Sequence, residues 1–122
     1  MIGYVTLGTN DLARASKFYD ALLAIQGAKR GWETEEFISW TTSPTAVALL
    51  LIKPADGKPA SVGNGVMVAL AAASKEQVGQ IHAQAIALGG KDEGAVGPRG
   101  EGFYAGYFRD LDGNKLCAFF AG

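Results

Sequence analysis

The chain has 122 residues, a length typical of one domain, and 48% of them are hydrophobic while 19% are charged. This composition excludes an intrinsically disordered chain, and 11 basic against 12 acidic residues are too evenly balanced for a strongly basic nucleic-acid-binding surface. The longest apolar run, residues 66–73, is much shorter than the ~20 residues that a membrane-spanning helix needs. The N-terminal residues lack the charged region of a signal peptide, and a single cysteine excludes an internal disulfide. We therefore expect a cytoplasmic protein.

Small residues are unusually frequent in this chain. Glycine contributes 17 residues and alanine 20, and together they make up about 30% of the sequence, against ~15% in average usage. Small side chains fill little volume. The excess therefore indicates either that structural elements approach closely or that the fold encloses space that its own side chains do not fill.

The first half of the sequence predicts one helix among four strands. Residues Ile2–Leu7 are rich in β-branched and aromatic side chains, which favours a strand. Thr9 or Asn10 can cap the helix that follows, Asp11 suits its positive end, and Gly27 ends it. Apolar residues recur at helical spacing between these points. Three further strand signals lie at residues 28–32, 37–42 and 45–53.

The second half begins after a linker that is rich in proline and glycine. A strand is predicted over Val66–Leu70, and the capping box Ser74–Gln77 opens a second helix, which Gly89 and Gly90 end. The glycine-rich stretch up to residue 102 is interpreted as a loop. Two strands close the chain, Phe103–Arg109 and Asn114–Phe120, joined by an Asp-Gly turn at residues 112 and 113.

The two halves share one pattern of elements. A shift of 63 residues places Tyr4 on Met67, and it aligns the two helices and the glycines that end them. Identity between the halves is negligible, so the repeat is one of pattern. The order of strand, helix and three strands therefore predicts two βαβββ modules within a single α+β domain. The first module spans about residues 1–54, the linker 55–64 and the second module about 65–122.

Three segments, Tyr4–Tyr19, Ile81–Gly90 and Tyr107–Leu116, resemble in this order the vicinal oxygen chelate superfamily. This superfamily includes glyoxalase, bleomycin resistance protein and extradiol dioxygenase. The last segment is similar to its "F-x-D-P-D-G-N" hairpin, with Leu111 where proline is usual. The resemblance implies two βαβββ modules forming a curled, eight-stranded, cup-shaped mixed sheet flanked by helices. It also implies a homodimer that binds a small organic molecule, and the charge balance and short apolar runs described above argue against nucleic acid and a membrane as partners.

Enzymes of this superfamily hold a divalent metal in the cup with two histidines and a glutamate. The resemblance places these three ligands on Tyr4, Met67 and Cys117, so none of the usual side chains is retained. A thioether is a poor ligand for the metals of the family. The residues therefore favour a small-molecule-binding protein without a cofactor. The alternatives are a glyoxalase-like lyase or dioxygenase-related enzyme with an altered metal site, and a scaffold whose dimer surface matters more than its cup.

The resemblance and the strand pattern together suggest which side chains line the cup. We expect seven residues to contribute: Tyr4, Trp40, Met67, Arg99, Tyr104, Cys117 and Phe119. Arg99 lies in a loop and would either hold a carboxylate or phosphate of the ligand or remain a solvated charge. Cys117 and His82 could act as nucleophile and general base, but free cysteines are commonly buried and His82 lies in the second helix, away from the expected cup. Catalytic residues are left unassigned.

Overall fold

The computed structural model describes residues 1–122, which form two compact units, residues 1–62 and 63–122. The division lies within the segment predicted as a linker. Each unit contains one helix and four strands. Neither helix is both long and apolar enough to cross a membrane.

The first unit is a βαβββ module built around α1. Its elements are β1 (Tyr4–Gly8), α1 (Leu12–Ala24), β2 (Lys29–Glu33), β3 (Phe37–Thr41) and β4 (Ala48–Ile52). The strand order in its sheet is β1-β4-β3-β2, in which β1 and β4 run parallel and the other neighbours antiparallel. The apolar residues of α1 recur every three or four positions, so they form one stripe, and Tyr19 and Leu22 within it are fully buried against the sheet.

The second unit repeats this arrangement around α2. Its elements are β5 (Val68–Ala71), α2 (Lys75–Ala87), β6 (Lys91–Pro98), β7 (Phe103–Arg109) and β8 (Lys115–Ala121). The strand order is β5-β8-β7-β6, again with one parallel pair, β5 with β8. The predicted α+β class with two βαβββ modules is therefore confirmed, and the eight strands are divided equally between two mixed sheets.

The start of each helix depends on one capping side chain. In α1 the cap is Asp11, whose carboxylate accepts a hydrogen bond from the backbone N–H of Arg14 at 3.0 Å. The sequence predicted Thr9 or Asn10 for this role, but the Thr9 hydroxyl accepts from the N–H of Asp11, and the Asn10 amide bonds to the backbone of Ala60. In α2 the predicted cap is confirmed, because Ser74 accepts from the N–H of Gln77 at 3.1 Å.

The strand β6 corrects the interpretation of residues 91–98 as part of a loop. Glycine disfavours strands, so Gly94 and Gly97 suggested an irregular segment. In the structure the register of β6 against β7 shifts on either side of Gly94, as in a β-bulge. A Cβ atom at position 94 would lie 3.0 Å from the Cδ2 atom of Tyr107. This glycine therefore allows the backbone of β6 to approach an aromatic ring of β7.

The predicted turn between β7 and β8 is organised by Asp110, which is buried. Its carboxylate accepts hydrogen bonds from the backbone N–H groups of Asp112 and Asn114, both at 2.9 Å, and from the side-chain amide of Asn114 at 3.0 Å. These bonds replace the water that the carboxylate loses on burial. Asp110 therefore organises the hairpin between β7 and β8.

Candidate functional site

Each module covers one face of its sheet with a helix and leaves the other face without one. In the first module, Trp40 packs against Tyr19 of α1 with ring centroids 5.8 Å apart, and its indole N–H donates to Asp20 at 2.9 Å. Because side chains alternate along a strand, the neighbours of Trp40 in β3, Ser39 and Thr41, point to the opposite face. We call that opposite side the helix-free face of the module.

The same reasoning assigns the two faces in the second module. The ammonium group of Lys75, at the start of α2, lies 5.6 Å from the ring centre of Tyr104, and the ring of His82 in α2 packs against Phe108. Even-numbered residues of β7 therefore face the helix. Tyr107, directly paired with Cys117 of β8, lies on the helix-free face.

The seven residues predicted to line the cup occupy different environments. Tyr4 lies on the helix-free face of the first module, and Cys117 and Phe119 lie on that of the second. Met67 immediately precedes β5 and is exposed. Arg99 follows β6, and its guanidinium lies 5.4 Å from the ring centre of Tyr107 on the helix-free face.

Trp40 and Tyr104 differ from these residues because their side chains point towards the helices. Trp40 is only 2% exposed, and its indole N–H is occupied by Asp20. A signal for this placement was present in the sequence, because Ser39 and Thr41 flank Trp40 and polar residues alternate with apolar ones on a half-buried strand. Tyr104 similarly shares its face with Phe108.

A cleft of about 840 Å³ opens on the helix-free face of the first module. Trp32 and Tyr4 lie at this cleft and remain 66% and 57% exposed. Lys29 and Thr41, which are paired across β2 and β3, also line it. The sequence analysis missed Lys29 and Trp32. The available signal was a large aromatic residue in a strand, Lys29–Glu33, whose other residues are charged or glycine.

Gly31 and Ser39 line the cleft where β2 lies beside β3. The Ser39 hydroxyl accepts a hydrogen bond from the backbone N–H of Trp32 at 2.8 Å. A Cβ atom at Gly31 would lie only 2.9 Å from this hydroxyl oxygen. Gly31 therefore lets β2 approach β3 closely while leaving the space above the two strands open.

An ion-pair network fixes β2, which carries Lys29 and Trp32, to α1. Both carboxylate oxygens of Asp20 accept from the guanidinium of Arg30, at 2.8 and 2.7 Å, and Glu33 accepts from the same guanidinium at 2.7 Å. The hydrogen bond from Arg30 lowers the pKa of Asp20, and that same hydrogen bond raises the pKa of Arg30. Arg30 is therefore neutralised, whereas Lys29 forms no ion pair.

The helix-free face of the second module combines aromatic rings with cations. The rings of Phe103 and Phe119 are stacked with centroids 5.4 Å apart. The ammonium group of Lys115 lies 5.5 Å from the ring centre of Tyr107, which also receives Arg99. The Arg99 guanidinium donates to the carbonyl oxygens of residues 95, 97 and 98, so this side chain also organises its own loop. This face can hold an aromatic or anionic group.

Cys117 has the environment of a packed side chain. It is 1% exposed, and burial raises the pKa of its thiol, an effect that the positive charge of Lys115 only partly opposes. A nucleophilic cysteine needs its thiolate form to be stabilised. The surroundings of Cys117 favour the protonated thiol, so they do not prepare it for nucleophilic attack.

The three positions that the resemblance assigns to metal ligands hold side chains that do not fit the metals of the superfamily. These positions hold the phenol of Tyr4, the thioether of Met67 and the protonated thiol of Cys117. Magnesium and manganese prefer carboxylate and carbonyl oxygens, and zinc and iron prefer imidazole, carboxylate or thiolate. Nowhere in residues 1–122 do three or more histidine, cysteine, aspartate or glutamate side chains form a group able to hold a metal.

The single histidine, His82, connects α2 to the sheet of the second module. Its Nε2 atom lies 3.2 Å from both the Asp92 carboxylate and the backbone oxygen of Tyr107. The backbone N–H of Gly94 lowers the pKa of Asp92, and the contact with His82 lowers it further. His82 therefore has a clear structural role on the side of the sheet that α2 covers.

Comparisons with known proteins agree with this architecture. The model of the Glyoxalase/Bleomycin resistance protein/Dioxygenase superfamily matches residues 1–118. A crystal structure of a glyoxalase/bleomycin resistance protein from Albidiferax ferrireducens is 39% identical, with a TM-score of 0.92 over 100% of this chain and 99% of that one. A lactoylglutathione lyase from Agrobacterium tumefaciens shares the fold at 22% identity and a TM-score of 0.72, covering 98% of this chain and 92% of its own. No curated protein matches significantly.

Proposed function

Because the chain belongs to the glyoxalase/bleomycin resistance protein/dioxygenase superfamily, we propose that it is a small-molecule-binding protein of this superfamily that has lost the usual metal ligands. The observation that carries the proposal is the set of side chains at the three positions that the resemblance aligns with the metal ligands of the superfamily. These side chains are Tyr4, Met67 and Cys117. A phenol, a thioether and a protonated thiol supply neither the charge nor the basic nitrogen that a divalent ion needs.

We propose ligand-contacting residues on the helix-free face of each module, taken separately. On the first module we assign this role to Tyr4. On the second we assign it to Met67, Arg99, Cys117 and Phe119. The stacked ring of Phe119 and the cation of Arg99 support an organic ligand that carries both apolar and polar groups.

Metal analysis tests the proposal directly. Protein purified without chelators should contain zinc, nickel, manganese and iron far below one equivalent, and calorimetric titration with each ion should show no saturable binding. A stoichiometric metal that survives dialysis would overturn the proposal and favour the alternative, a glyoxalase-like lyase or dioxygenase-related enzyme with an altered site.

A designed variant tests the assignment of the three positions. Tyr4→His, Met67→His and Cys117→Glu together should create metal binding, because they restore the imidazole and carboxylate ligands of the family. The matched control, Tyr4→Phe, Met67→Leu and Cys117→Ala, changes the same positions without adding ligands and should bind no metal. If the histidine variant remains folded by circular dichroism and still binds no metal, the assignment of the positions is wrong.

The proposal includes a cytoplasmic homodimer. Exposed apolar residues in both modules that are not assigned to the ligand, Val47, Val62 and Val66, support association with a second copy. Light scattering coupled to gel filtration should give a mass twice that of the 12.7 kDa chain. A mass of one chain at micromolar concentration would contradict this part of the proposal.

A further inference from the structure

We propose that the cleft on the helix-free face of the first module binds a small aromatic carboxylate. The inference deepens the proposed function and rests on it, because Tyr4 belongs both to the cleft and to the proposed ligand-binding residues. It adds the chemical class of the ligand and two further contact residues, Lys29 and Trp32.

The aromatic part of the ligand follows from the walls of the cleft. Its volume of about 840 Å³ lies within the range of small-molecule sites, roughly 300–1,000 Å³. Trp32 and Tyr4 both line it and leave more than half of their surfaces exposed. Two large aromatic rings that do not pack into the core offer surfaces on which a planar ring can stack.

The negative charge of the ligand follows from the balance of charges around the cleft. No aspartate or glutamate lines it, and its two cations are Lys29 and Arg30. Arg30 is neutralised by Asp20 and Glu33, whereas Lys29 forms no ion pair. An ammonium group beside an apolar wall strongly favours a carboxylate over a neutral or cationic group of the same shape.

The space for the ring is available because many of the residues that line the cleft are small. Five of the fourteen lining residues are glycine or alanine, including Gly3, Gly27 and Gly31. No atom lies within 4 Å of a Cβ built on Gly3 or Gly27. The cleft is therefore open at these positions, and a ligand would meet backbone between the aromatic walls.

Three probes with the same ring system and different charge test the inference: 2-naphthoate, 2-naphthamide and 2-naphthylmethylammonium. Calorimetric titration of the full chain should show that the carboxylate binds about two- to fivefold more tightly than the amide, and that the ammonium compound binds most weakly. The inference is overturned if the three probes bind equally, or if none binds at ~1 mM.

The two tryptophans identify where the probe binds. In a ¹H–¹⁵N spectrum the indole signal of Trp32 should shift on addition of 2-naphthoate, while that of Trp40, which is buried and bonded to Asp20, should not. The variant Trp32→Phe assigns the two signals. Shifts confined to residues of the second module, with Trp32 unchanged, would overturn the inference even if the probe binds.

Paired lysine variants test the charge. Lys29→Gln should weaken 2-naphthoate about two- to fivefold and leave 2-naphthamide unchanged, because only an exposed ionic contact is removed. Lys17→Gln removes an exposed lysine of α1, on the other side of the sheet, and should change neither affinity. Equal losses for both probes in Lys29→Gln would contradict the ionic contact. The metal analysis described above is independent of these results, so failure of this inference and failure of the proposed function are distinguishable.

Discussion

Replacing Asp20 by alanine should destabilise the first module and loosen the strand that carries the cleft residues. Asp20 accepts hydrogen bonds from the indole N–H of Trp40, which is 2% exposed, and from Arg30 in a pair whose side chains are 41% and 31% exposed. A buried donor without an acceptor costs about 1–3 kcal/mol, and a partly exposed ion pair contributes about 0.2–1 kcal/mol. The free energy of unfolding should therefore fall by about 1.5–4 kcal/mol.

Urea unfolding followed by tryptophan fluorescence reports on the first module, because both tryptophans lie within residues 1–62. Glu33→Ala is the matched control. It removes only the more exposed partner of Arg30 and should cost at most about 0.5 kcal/mol. Asp20→Ala should also weaken 2-naphthoate binding, although Asp20 does not line the cleft, because β2 loses its attachment to α1.

The effect of Asp20 should depend on pH. The hydrogen bond from Arg30 holds the pKa of Asp20 below its usual range, so the folded state favours the charged carboxylate. The resulting stability is present above the unfolded pKa of about 3.9 and is lost as the pH falls through the lower folded pKa. The difference between wild type and Asp20→Ala should therefore shrink in acid. A difference below about 0.5 kcal/mol at neutral pH, or one that stays constant into strong acid, would refute this account.

Three further predictions follow from individual contacts. Cys117 should resist iodoacetamide in the folded protein at pH 8 and react fully in urea, as followed by mass spectrometry; rapid native labelling would contradict its burial and raised pKa. Gly31→Ala should weaken 2-naphthoate binding about threefold or more and destabilise the first module by about 1 kcal/mol, since the new methyl group displaces the Ser39 hydroxyl. Asp110→Ala should destabilise the second module by about 2–4 kcal/mol in urea unfolding followed by circular dichroism, because Asn114 and the turn lose a buried acceptor, whereas no loss would mean that the turn forms without it.

Hydrophobic periodicity was sufficient to predict both helices and seven of the eight strands. The stripe around Tyr19 and Leu22 and the alternation in Phe103–Arg109 reflect burial on one face, which is a property of the local sequence. The capping residue of α1 was harder to predict from the sequence, because Thr9, Asn10 and Asp11 can all cap a helix. The choice among them depends on contacts such as that between Asn10 and Ala60, fifty residues away.

The strand β6 and the cleft were harder to predict for a related reason. Glycine carries no propensity signal for a strand, and Gly94 is needed because of the Tyr107 ring on the neighbouring strand. The cleft lies where large side chains are absent. The sequence shows which residues are small, but only the folded sheet shows which of them lie next to each other. Arg30 is paired with Asp20, whereas Lys29 forms no ion pair. This difference between neighbouring cations depends on the position of α1 and cannot be predicted from the sequence.

The glycine and alanine lining of the cleft has a consequence for how its specificity can change. Five of its fourteen lining residues are glycine or alanine, so a single substitution at such a position can change the shape of the cleft without disturbing the core. Gly3 and Ala48 are positions where a larger side chain could be introduced, whereas Gly27 adopts a φ of +78° that disfavours any other residue. Under the proposed function, related chains could therefore differ in ligand preference through very few substitutions in the first module, while the packing between helix and sheet stays the same.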